Sequence, residues 1–396
     1  MTLLRVELSS EQMTMTMTMM FSCGVAAAAV CVFTVVWTRA EGCDDGRGGG
    51  ASGVLWTTVL LAAALCYIVS PAVSGVVVLC CVLMKICVRK RRRDLRTRGA
   101  VLITGCDSGF GHTLALELSH MGVTVFAGVL DVKGGGAQRL RARASEKLQV
   151  LQLDVTDSVQ VETVRQYVCA QVGRTGLWGL VNNAGILPCP ADAELLPLSD
   201  YRRCMDVNFL SAVHMCQVFL PMLRRSRGRI VNVSSLAAEV PMPLFAAYGA
   251  SKAALGAFSA MMRLETSQWN VNVSLIQPSG FRTNLFGDSD VISHYKDHLL
   301  ASASSEARED YGDSYISSLP SCLSSMSQTS AEDLSPVVDA MCHALLSVHP
   351  RAVYSPGQMG WLLPFLHRHC PTAIFDLIIT TLITYRDSEP AGLRTT

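Results

Sequence analysis

Charged residues are scarce in this sequence: only 16% of its 396 residues are charged, and the formal net charge is +1. A nucleic-acid-binding surface needs a clear basic excess, so this class of function is not expected. The 15 cysteines include no Cys-x-x-Cys pair, which argues against a metal site or a disulfide framework and predicts reduced, buried thiols. Apolar residues, in contrast, make up 50% of the chain, and the mean hydropathy is +0.32. Membrane segments are therefore expected.

Residues 1–98 are predicted to form a membrane anchor region. The tract 19–37 contains no charged residue, and its length is close to the ~20 residues that cross a bilayer as a helix. Because Arg5 is the only basic residue before it, a retained anchor is favoured over a cleaved signal peptide. A second apolar tract, 54–84, is interrupted by a proline and forms either one tilted or kinked span or a tight hairpin. The basic segment 89–98 follows, so the rest of the chain is expected to face the cytosol.

A glycine-rich turn opens the predicted catalytic domain, which we place at residues 99–284. Residues 101–104 are typical of a short buried strand, and residues 105–111 contain three glycines spaced Gly-x-x-x-Gly-x-Gly before a helical pattern. In such an arrangement, backbone N–H groups and a helix N-terminus can approach a pyrophosphate. A second strand is predicted at 123–130. Asp131 follows it and is either an acceptor for an adenosine ribose, which favours NAD over NADP, or a turn residue.

Strands and helices alternate along the rest of the predicted domain. This repetition predicts an α/β fold in which helices cover both faces of a doubly wound parallel sheet. The further strands are predicted at 148–153, 177–181, 229–235 and 271–276, and the helices at 157–172, 198–223 and 248–267.

A tyrosine and a lysine lie one helical turn apart after the strand predicted at 229–235. Tyr248 and Lys252 are four residues apart and therefore share a helix face. A nearby ammonium favours a phenolate, so Lys252 is expected to lower the pKa of Tyr248 from its ordinary value of about 10. Ser235, at the strand end, is expected to hydrogen-bond a substrate oxygen. Taken alone, such a pair is more typical of a helix surface, but the glycine-rich turn upstream favours a catalytic interpretation.

Together, these motifs resemble those of the short-chain dehydrogenase/reductase family over about residues 100–282. The resemblance implies a Rossmann-type doubly wound fold, a nicotinamide cofactor and a catalytic tetrad. One departure is Pro278-Ser279-Gly280, where the family often has Pro-Gly, so the loop beside the nicotinamide is expected to have a different shape. The resemblance is carried by TGCDSGFG at 104–111, NNAG at 182–185, Asn208, Ser235 and Tyr248-x-x-x-Lys252.

The resemblance also implies a role for each residue of the site. Tyr248 is expected to be the general acid/base, and Lys252 to lower its pKa and hold the nicotinamide ribose. Ser235 and Tyr248 are expected to contact the substrate oxygen, while Asn208 helps to keep a water that relays protons to Lys252. The residues expected to bind NAD, with Asp154 and Val155 beside the adenine, are Gly105, Asp107, Ser108, Gly109, Phe110, Gly111, Asp131, Asp154, Val155, Asn182, Ala184, Gly185, Tyr248, Lys252, Pro278 and Thr283.

Within the family, the sequence resembles the membrane-bound steroid and retinol branch, through TVFAGVL at 124–130, MRLE at 262–265 and EDYG at 309–312. This implies NAD-dependent oxidation of a steroid secondary alcohol to a ketone. Substrates such as estradiol and testosterone, which are 17β-hydroxysteroids, are favoured over 11β-hydroxysteroids or retinol. The implied location is the endoplasmic-reticulum membrane with the catalytic domain in the cytosol, and a homodimer is a further expectation. A non-catalytic NAD-binding scaffold is the alternative class, and the intact tetrad argues against it.

The remainder of the chain gives fewer signals. Residues 285–335 are Ser-rich with scattered apolar positions, which suits either a mobile cap over a substrate cleft or a plain surface excursion. Residues 336–396 are expected to begin with a helix that packs on the sheet. The apolar tail at 361–385 either lies on the membrane, lines the substrate entrance or packs into the core.

Overall fold

The computed structural model describes residues 99–287, 289–382 and 389–393. The predicted membrane tracts 19–37 and 54–84, and the basic segment 89–98, lie outside the described residues. Among those that are described, the helical run Leu198–Ser226 is the one with the length and apolar character of a membrane span. Part of that run packs into the core of the catalytic domain.

The centre of the fold is a seven-stranded sheet in the order β3-β2-β1-β4-β5-β6-β7. Every neighbouring pair of strands is parallel, so all carboxyl ends meet at one edge, where doubly wound sheets bind ligands. The central strands are apolar and buried along their whole length, as expected for a sheet covered on both faces. The strands are β1 (Ala100–Ile103), β2 (Thr124–Val129), β3 (Leu148–Gln152), β4 (Gly179–Asn182), β5 (Arg229–Val233), β6 (Asn272–Ile276) and β7 (Val353–Tyr354).

Helices cover both faces of this sheet, which confirms the predicted fold class. One apolar core lies under α1, α2 and α11, and a second lies under α3 and α5. The helices are α1 (Gly109–His120), α2 (Gly135–Arg143), α3 (Ser158–Val172), α4 (Leu198–Met205), α5 (Ser211–Ser226), α6 (Ala246–Thr266), α7 (Ser289–Ser302), α8 (Ser305–Tyr311), α9 (Asp313–Ser318), α10 (Ser321–Thr329), α11 (Ser335–Leu346), α12 (Leu362–His369) and α13 (Thr372–Leu382).

Helix α2 was not predicted, because three consecutive glycines at its start are typical of a turn. In the structure these glycines allow α2 to approach the glycine-rich turn: a Cβ on Gly136 would overlap the backbone of Asp107. A close backbone approach of this kind favours glycine over its intrinsic cost in a helix. The two-residue strand β7 was also not predicted, since it is too short to give an alternating pattern.

Residues 289–329 form four helices, α7 to α10, where the sequence suggested either a mobile cap or a plain surface excursion. Their apolar side chains pack into one cluster with residues that follow β4 and with the start of α6. We call α7 to α10 the cap. After it, α11 packs on the sheet as predicted, and the tail forms α12 and α13, which pack against the segment that follows β5.

Candidate active site

The glycine-rich turn between β1 and α1 forms a tight cradle at the carboxyl edge of the sheet. Gly105 and Gly109 have φ values of +68° and +60°, a region that favours glycine. A Cβ on Gly105 would stand 2.8 Å from Cα of Ala184, and one on Gly111 would stand 2.5 Å from Nδ2 of Asn183. No side chain therefore fits at either position, which lets the turn pack closely against Asn183 and Ala184 and leaves its backbone free to approach a pyrophosphate at the N-terminus of α1.

Two residues that were not singled out from the sequence hold this cradle in place. Thr104 Oγ1 accepts hydrogen bonds from the backbone N–H groups of Asn183 and Ala184, both at 3.0 Å. The Asn183 amide donates to the carbonyls of Thr104 and Gly105, at 2.9 and 3.0 Å. Thr104 belongs to the motif TGCDSGFG and Asn183 to the motif NNAG, and these motifs were the signal available in the sequence. The sequence does not show which of the two adjacent asparagines contacts the turn, because that depends on the direction in which each side chain leaves the strand.

Asn182, the other asparagine, points into the sheet. Its side chain is 5% exposed and donates to Asn232 Oδ1 at 2.8 Å, linking β4 to β5. The side-chain contacts of Asn182 thus join two strands of the sheet, and its predicted place beside the cofactor cleft stays a prediction. Gly185, three residues later, does reach the reaction centre, because a Cβ there would stand 3.2 Å from Asn208 Oδ1 and 3.2 Å from Lys252 Nζ.

Two carboxylates lie at the carboxyl edge of the sheet, in the region where an adenosine would bind. Asp131 directly follows β2 and is exposed, with Oδ1 accepting a hydrogen bond from the backbone N–H of Lys133. Asp154 follows β3 and accepts from the backbone and hydroxyl of Thr156. Val155 beside it is 6% exposed and packs into the apolar core. These three residues thus follow neighbouring strands at the same edge, as the sequence predicted.

The segment after β6 closes the cradle from the other side. Pro278 accepts a hydrogen bond from the backbone N–H of Leu236 at 2.9 Å. Phe281 stacks edge-on against Phe110 with ring centroids 5.8 Å apart. Thr283 comes next, and its side chain lies 3.5 Å from where a Cβ on Gly109 would be. Ser108 is the N-cap of α1 but makes no side-chain capping hydrogen bond.

Tyr248 and Lys252 occupy adjacent turns of α6 and are both buried, with 9% and 4% exposure. Lys252 Nζ donates to the backbone carbonyl of Val233 at 2.9 Å and lies 5.8 Å from the centre of the Tyr248 ring. The lysine is therefore held by the end of β5, close to the phenol but not hydrogen-bonded to it in the structure.

Burial controls the protonation of both groups. It raises the pKa of Tyr248 to about 12, with a smaller lowering from a hydrogen bond to Ser235. It lowers the pKa of Lys252 from its ordinary value to about 8. Burial is thus the largest influence on the pKa of Tyr248 in the protein alone, and the predicted lowering of that pKa by Lys252 stays a prediction.

Ser235 lies immediately beyond β5, in an extended conformation with φ −158°. Its hydroxyl accepts a hydrogen bond from the backbone N–H of Ala237 at 3.2 Å and interacts with the phenol of Tyr248. A hydroxyl held in this way can still donate its own proton. Ser235 and Tyr248 thus form a pair of hydroxyls that could bind one substrate oxygen.

Asn208 is placed by an irregularity in its helix. A short π-helix (Asp206–Leu210) separates α4 from α5, and Asn208 is its one buried residue, with 1% exposure. Helices of this type are often found at functional sites. The side chain makes paired hydrogen bonds with the backbone of Ile186, accepting at 2.8 Å and donating at 2.9 Å. It also donates to Ser251 Oγ at 3.0 Å and approaches Cys204 Sγ at 3.2 Å.

The cap packs against Tyr248 through apolar residues that it shares with the segments after β4 and before α6. Leu187, Phe245 and Tyr315 belong to the same buried cluster as Tyr248. Hydroxyl groups fix the cap to the segment after β4: Tyr295 donates to the carbonyl of Leu187 at 3.1 Å, and Tyr315 donates to Asp192. An apolar ligand with one reacting oxygen fits such a lining better than a charged one.

These features satisfy the requirements of a dinucleotide site beside a proton-transfer centre. No side chain fits at Gly105 or Gly111 of the cradle. The tetrad residues Asn208, Ser235, Tyr248 and Lys252 converge at the carboxyl ends of β4 and β5, although Asn208 comes from a different helix. The arrangement can hold a cofactor, bind an alcohol or carbonyl oxygen, and exchange a proton with it.

Comparison with known proteins agrees with this description. The sequence profile described as short chain dehydrogenase matches residues 99–290. The human protein "17-beta-hydroxysteroid dehydrogenase type 2" is 41% identical over 87% of this chain and 90% of its own length. The sheep protein "11-beta-hydroxysteroid dehydrogenase type 2" is 47% identical over 72% of this chain and 66% of its own length.

A solved structure has the same fold. A short-chain dehydrogenase from Streptomyces avermitilis superposes with a TM-score of 0.55 at 24% sequence identity, covering 73% of this chain and 98% of its own. The agreement with that structure concerns the fold alone, whereas the identity to the human and sheep proteins extends over most of the chain. This protein therefore belongs to the short-chain dehydrogenase family of nicotinamide-dependent oxidoreductases.

Proposed function

We propose that this protein oxidises a secondary alcohol of a steroid to a ketone and delivers the hydride to NAD. The observation that carries this proposal is the 41% identity to a 17β-hydroxysteroid dehydrogenase over 90% of that protein's length. The apolar character of the residues that pack between the cap and Tyr248 supports a steroid.

In the proposed reaction, the substrate hydroxyl lies between Ser235 and Tyr248. Ser235 donates a hydrogen bond to the substrate oxygen, and the phenolate of Tyr248 accepts the hydroxyl proton. Lys252, held by the Val233 carbonyl, keeps a positive charge near the phenolate, and Asn208 supports the proton path to Lys252. The nicotinamide, when bound, takes up the hydride from the same carbon.

The preference for NAD rests on Asp131. Its carboxylate is exposed directly after β2, where it can accept hydrogen bonds from a ribose and would repel a 2′-phosphate. In the described part of the chain, none of the ion pairs involves Asp131. Its negative charge therefore remains available to select the cofactor.

A 17β-hydroxysteroid is the favoured substrate, and an 11β-hydroxysteroid is the second candidate. The human 17β enzyme aligns with 87% of this chain, including part of the region before residue 99, whereas the sheep 11β enzyme aligns with 72%. The sheep 11β enzyme is 47% identical over its shorter alignment. This higher identity is the observation that keeps an 11β-hydroxysteroid as the alternative substrate.

We place the protein in the endoplasmic-reticulum membrane with its catalytic domain in the cytosol, as the apolar tracts and the basic segment 89–98 imply. A homodimer through α5 and α6 is a further part of the proposal. Met261 and Leu264 on the outer face of α6 support it, since both are large apolar side chains with more than half of their surface exposed.

The test is hydride transfer by membranes carrying the protein, with estradiol, testosterone, cortisol and retinol offered separately with NAD and with NADP. The same membranes carrying Tyr248→Phe give the background of host enzymes. Oxidation of estradiol and testosterone with NAD is the expected result. Preference for cortisol would move the substrate to the 11β class, and NAD binding without turnover of any alcohol would support a scaffold instead.

A further inference from the structure

Helix α7 of the cap contacts two separate parts of the chain through side chains that lie one turn apart. Tyr295 donates its phenolic proton to the backbone carbonyl of Leu187 at 3.1 Å. His298 donates from Nε2 to the carboxylate of Asp200, on α4, at 3.0 Å. Residues three apart in a helix share a face, so one face of α7 joins the segment after β4 to α4.

The segment after β4 is one support of Asn208. The side-chain amide of Asn208 accepts the backbone N–H of Ile186 at 2.8 Å and donates to the carbonyl of the same residue at 2.9 Å. Leu187, which Tyr295 contacts, is the next residue. Pro188 follows it, and a proline fixes its own φ and restricts the residue before it. The Tyr295 hydroxyl therefore holds a stiff piece of backbone to which Asn208 is bound.

Helix α4 is the second support of Asn208. It ends at Met205 and continues directly into the π-helix Asp206–Leu210, so Asn208 lies about two turns after Asp200. The side chains of His298 and Asp200 are 34% and 18% exposed, and a hydrogen bond to a carboxylate is stronger than one between neutral groups. This contact therefore fixes α7 against the helix that carries Asn208.

Another tyrosine of the cap makes a similar contact at a different place. Tyr315, on α9, donates to Asp192, which also belongs to the segment after β4 but lies five residues beyond Leu187. The two tyrosines thus join the same cap to the same segment, one beside the residue bound to Asn208 and one further along the chain. Comparing them separates a role in steroid binding from a role in turnover.

We propose that Tyr295 and His298 are positioning residues for Asn208: from α7 they hold the two segments that support its amide, so that the cap contributes to turnover as well as to steroid binding. The inference deepens the proposed function and rests on it for the reaction in which kcat is measured. Neither residue touches the reacting atoms in this account, since both act through Asn208.

Steady-state steroid oxidation by the detergent-solubilised full-length protein separates the two roles. Tyr295→Phe removes only a hydroxyl, and we expect kcat to fall by about two- to fivefold. Tyr315→Phe is the matched control, because it removes the same group from the same cap; it should raise KM and leave kcat within about 1.5-fold of the wild type. His298→Ala should lower kcat as Tyr295→Phe does, whereas His294→Ala, at an exposed position one turn earlier on α7, should not.

Hydrogen exchange measured without steroid or cofactor tests the coupling independently of activity. The backbone N–H of Ile186 is bonded to the Asn208 amide, so its exchange reports how firmly the two are held together. In Tyr295→Phe we expect this N–H to exchange about two- to tenfold faster, which corresponds to the loss of one hydrogen bond. In Tyr315→Phe its exchange should stay within about twofold of the wild type.

A kcat of Tyr295→Phe equal to that of the wild type, or unchanged exchange at Ile186, would overturn the proposal. Equal kcat losses in Tyr295→Phe and Tyr315→Phe would also overturn it, because they would indicate a general loosening of the cap. A wild-type protein that oxidises no steroid would contradict the proposed function instead, and the exchange measurement would then decide on the positioning role by itself.

Discussion

The two halves of the carboxyl edge differ in how they hold their functional groups. On the adenosine side, Asp107 and Asp131 are solvent-accessible carboxylates fixed by backbone N–H groups. On the side proposed for the nicotinamide, Asn208, Tyr248 and Lys252 are buried, and the first and last are held by a serine hydroxyl and a backbone carbonyl. Water therefore screens the first set of charges and not the second.

This difference separates the groups proposed to select the cofactor from the groups proposed to transfer a proton. Groups in water keep their charge and can select a ligand by attraction or repulsion, but they gain little catalytic power. Buried groups have strongly shifted pKa values, as Tyr248 and Lys252 do, and such shifts are typical of proton-transfer sites. Changes on the adenosine side should alter which cofactor binds, and changes on the nicotinamide side should alter turnover.

The largest expected effect is that of Tyr248→Phe. Removing the phenol deletes the proposed proton acceptor, so we expect steroid oxidation to fall by about 10²- to 10⁴-fold. NADH binding should remain within about threefold of the wild type, because the adenosine side is untouched. The matched control is Tyr167→Phe, which removes an exposed phenol bonded to Gln149. Substantial turnover by Tyr248→Phe would refute the role assigned to Tyr248.

Lys252→Met should lower turnover by about 10²-fold and change the pH dependence of stability. The unfolded pKa is near 10.5 and the folded pKa is about 8, so the unfolded state binds more protons between these values. The contribution of Lys252 to wild-type stability should therefore rise with pH from 8 towards 10, while below pH 8 the full cost of burying the ammonium is present. Methionine removes that cost but leaves the Val233 carbonyl unpaired, so we expect a net gain of about 1 kcal/mol at pH 7.

Thermal unfolding of both proteins from pH 6.5 to 9.5 measures this effect. The melting temperature of Lys252→Met should exceed that of the wild type at low pH, and the difference should shrink as pH rises through 8. The upper limit avoids the range above pH 10, where the raised pKa of Tyr248 causes stability to be lost. A difference that stays constant with pH would show that Lys252 is not buried as a cation.

A smaller effect is expected from Ser251→Ala. Ser251 accepts the Asn208 amide at 3.0 Å, so its loss should loosen Asn208 and lower kcat by about three- to tenfold, with little change in KM. Ser259→Ala, on the same helix and equally buried, is the control and should reduce stability without reducing kcat. Cysteine at position 251 keeps a weak acceptor and should restore part of the loss. Equal kcat losses at both serines would indicate a general effect on α6.

The smallest effect is predicted for the cap. Tyr315→Phe removes the hydroxyl that joins α9 to Asp192, which should raise the KM for the steroid by about two- to fivefold. Dinucleotide binding should not change, because the cap contacts the nicotinamide side of the cleft. Steady-state kinetics with varied steroid and saturating cofactor measure this. A reduced affinity for NADH would show that the cap also supports the adenosine side.

The sequence predicted the parts of the site that depend on local spacing. The glycine spacing, the strand ends and the four-residue separation of Tyr248 and Lys252 follow from helix and strand geometry. The direction of the Tyr248 pKa shift could not be predicted, because its burial depends on the cap and on Phe245, which is brought close by tertiary packing. The π-helix around Asn208 has no sequence signal of its own.

Other features of the fold could not be predicted, because they depend on contacts between residues that are far apart in the sequence. The three glycines before α2 suggested a turn, and only their approach to Asp107 explains the helix. In the cap, short helices with scattered apolar residues give no clear periodicity, since each helix presents only a few side chains to the cluster. The hydrogen bonds between Thr104 and Asn183 could be predicted only with the strand order, because that order places β1 beside β4.

The most direct test of the separation between the two halves uses four proteins: wild type, Tyr248→Phe, Asp131→Asn and the double variant. NADH and NADPH affinities and single-turnover steroid oxidation at saturating NAD are measured on each. We predict that Tyr248→Phe lowers turnover by about 10²- to 10⁴-fold without changing the ratio of the two affinities, and that Asp131→Asn shifts the ratio towards NADPH without slowing the chemical step. A change in the affinity ratio caused by Tyr248→Phe, or a slow chemical step in Asp131→Asn, would contradict the account.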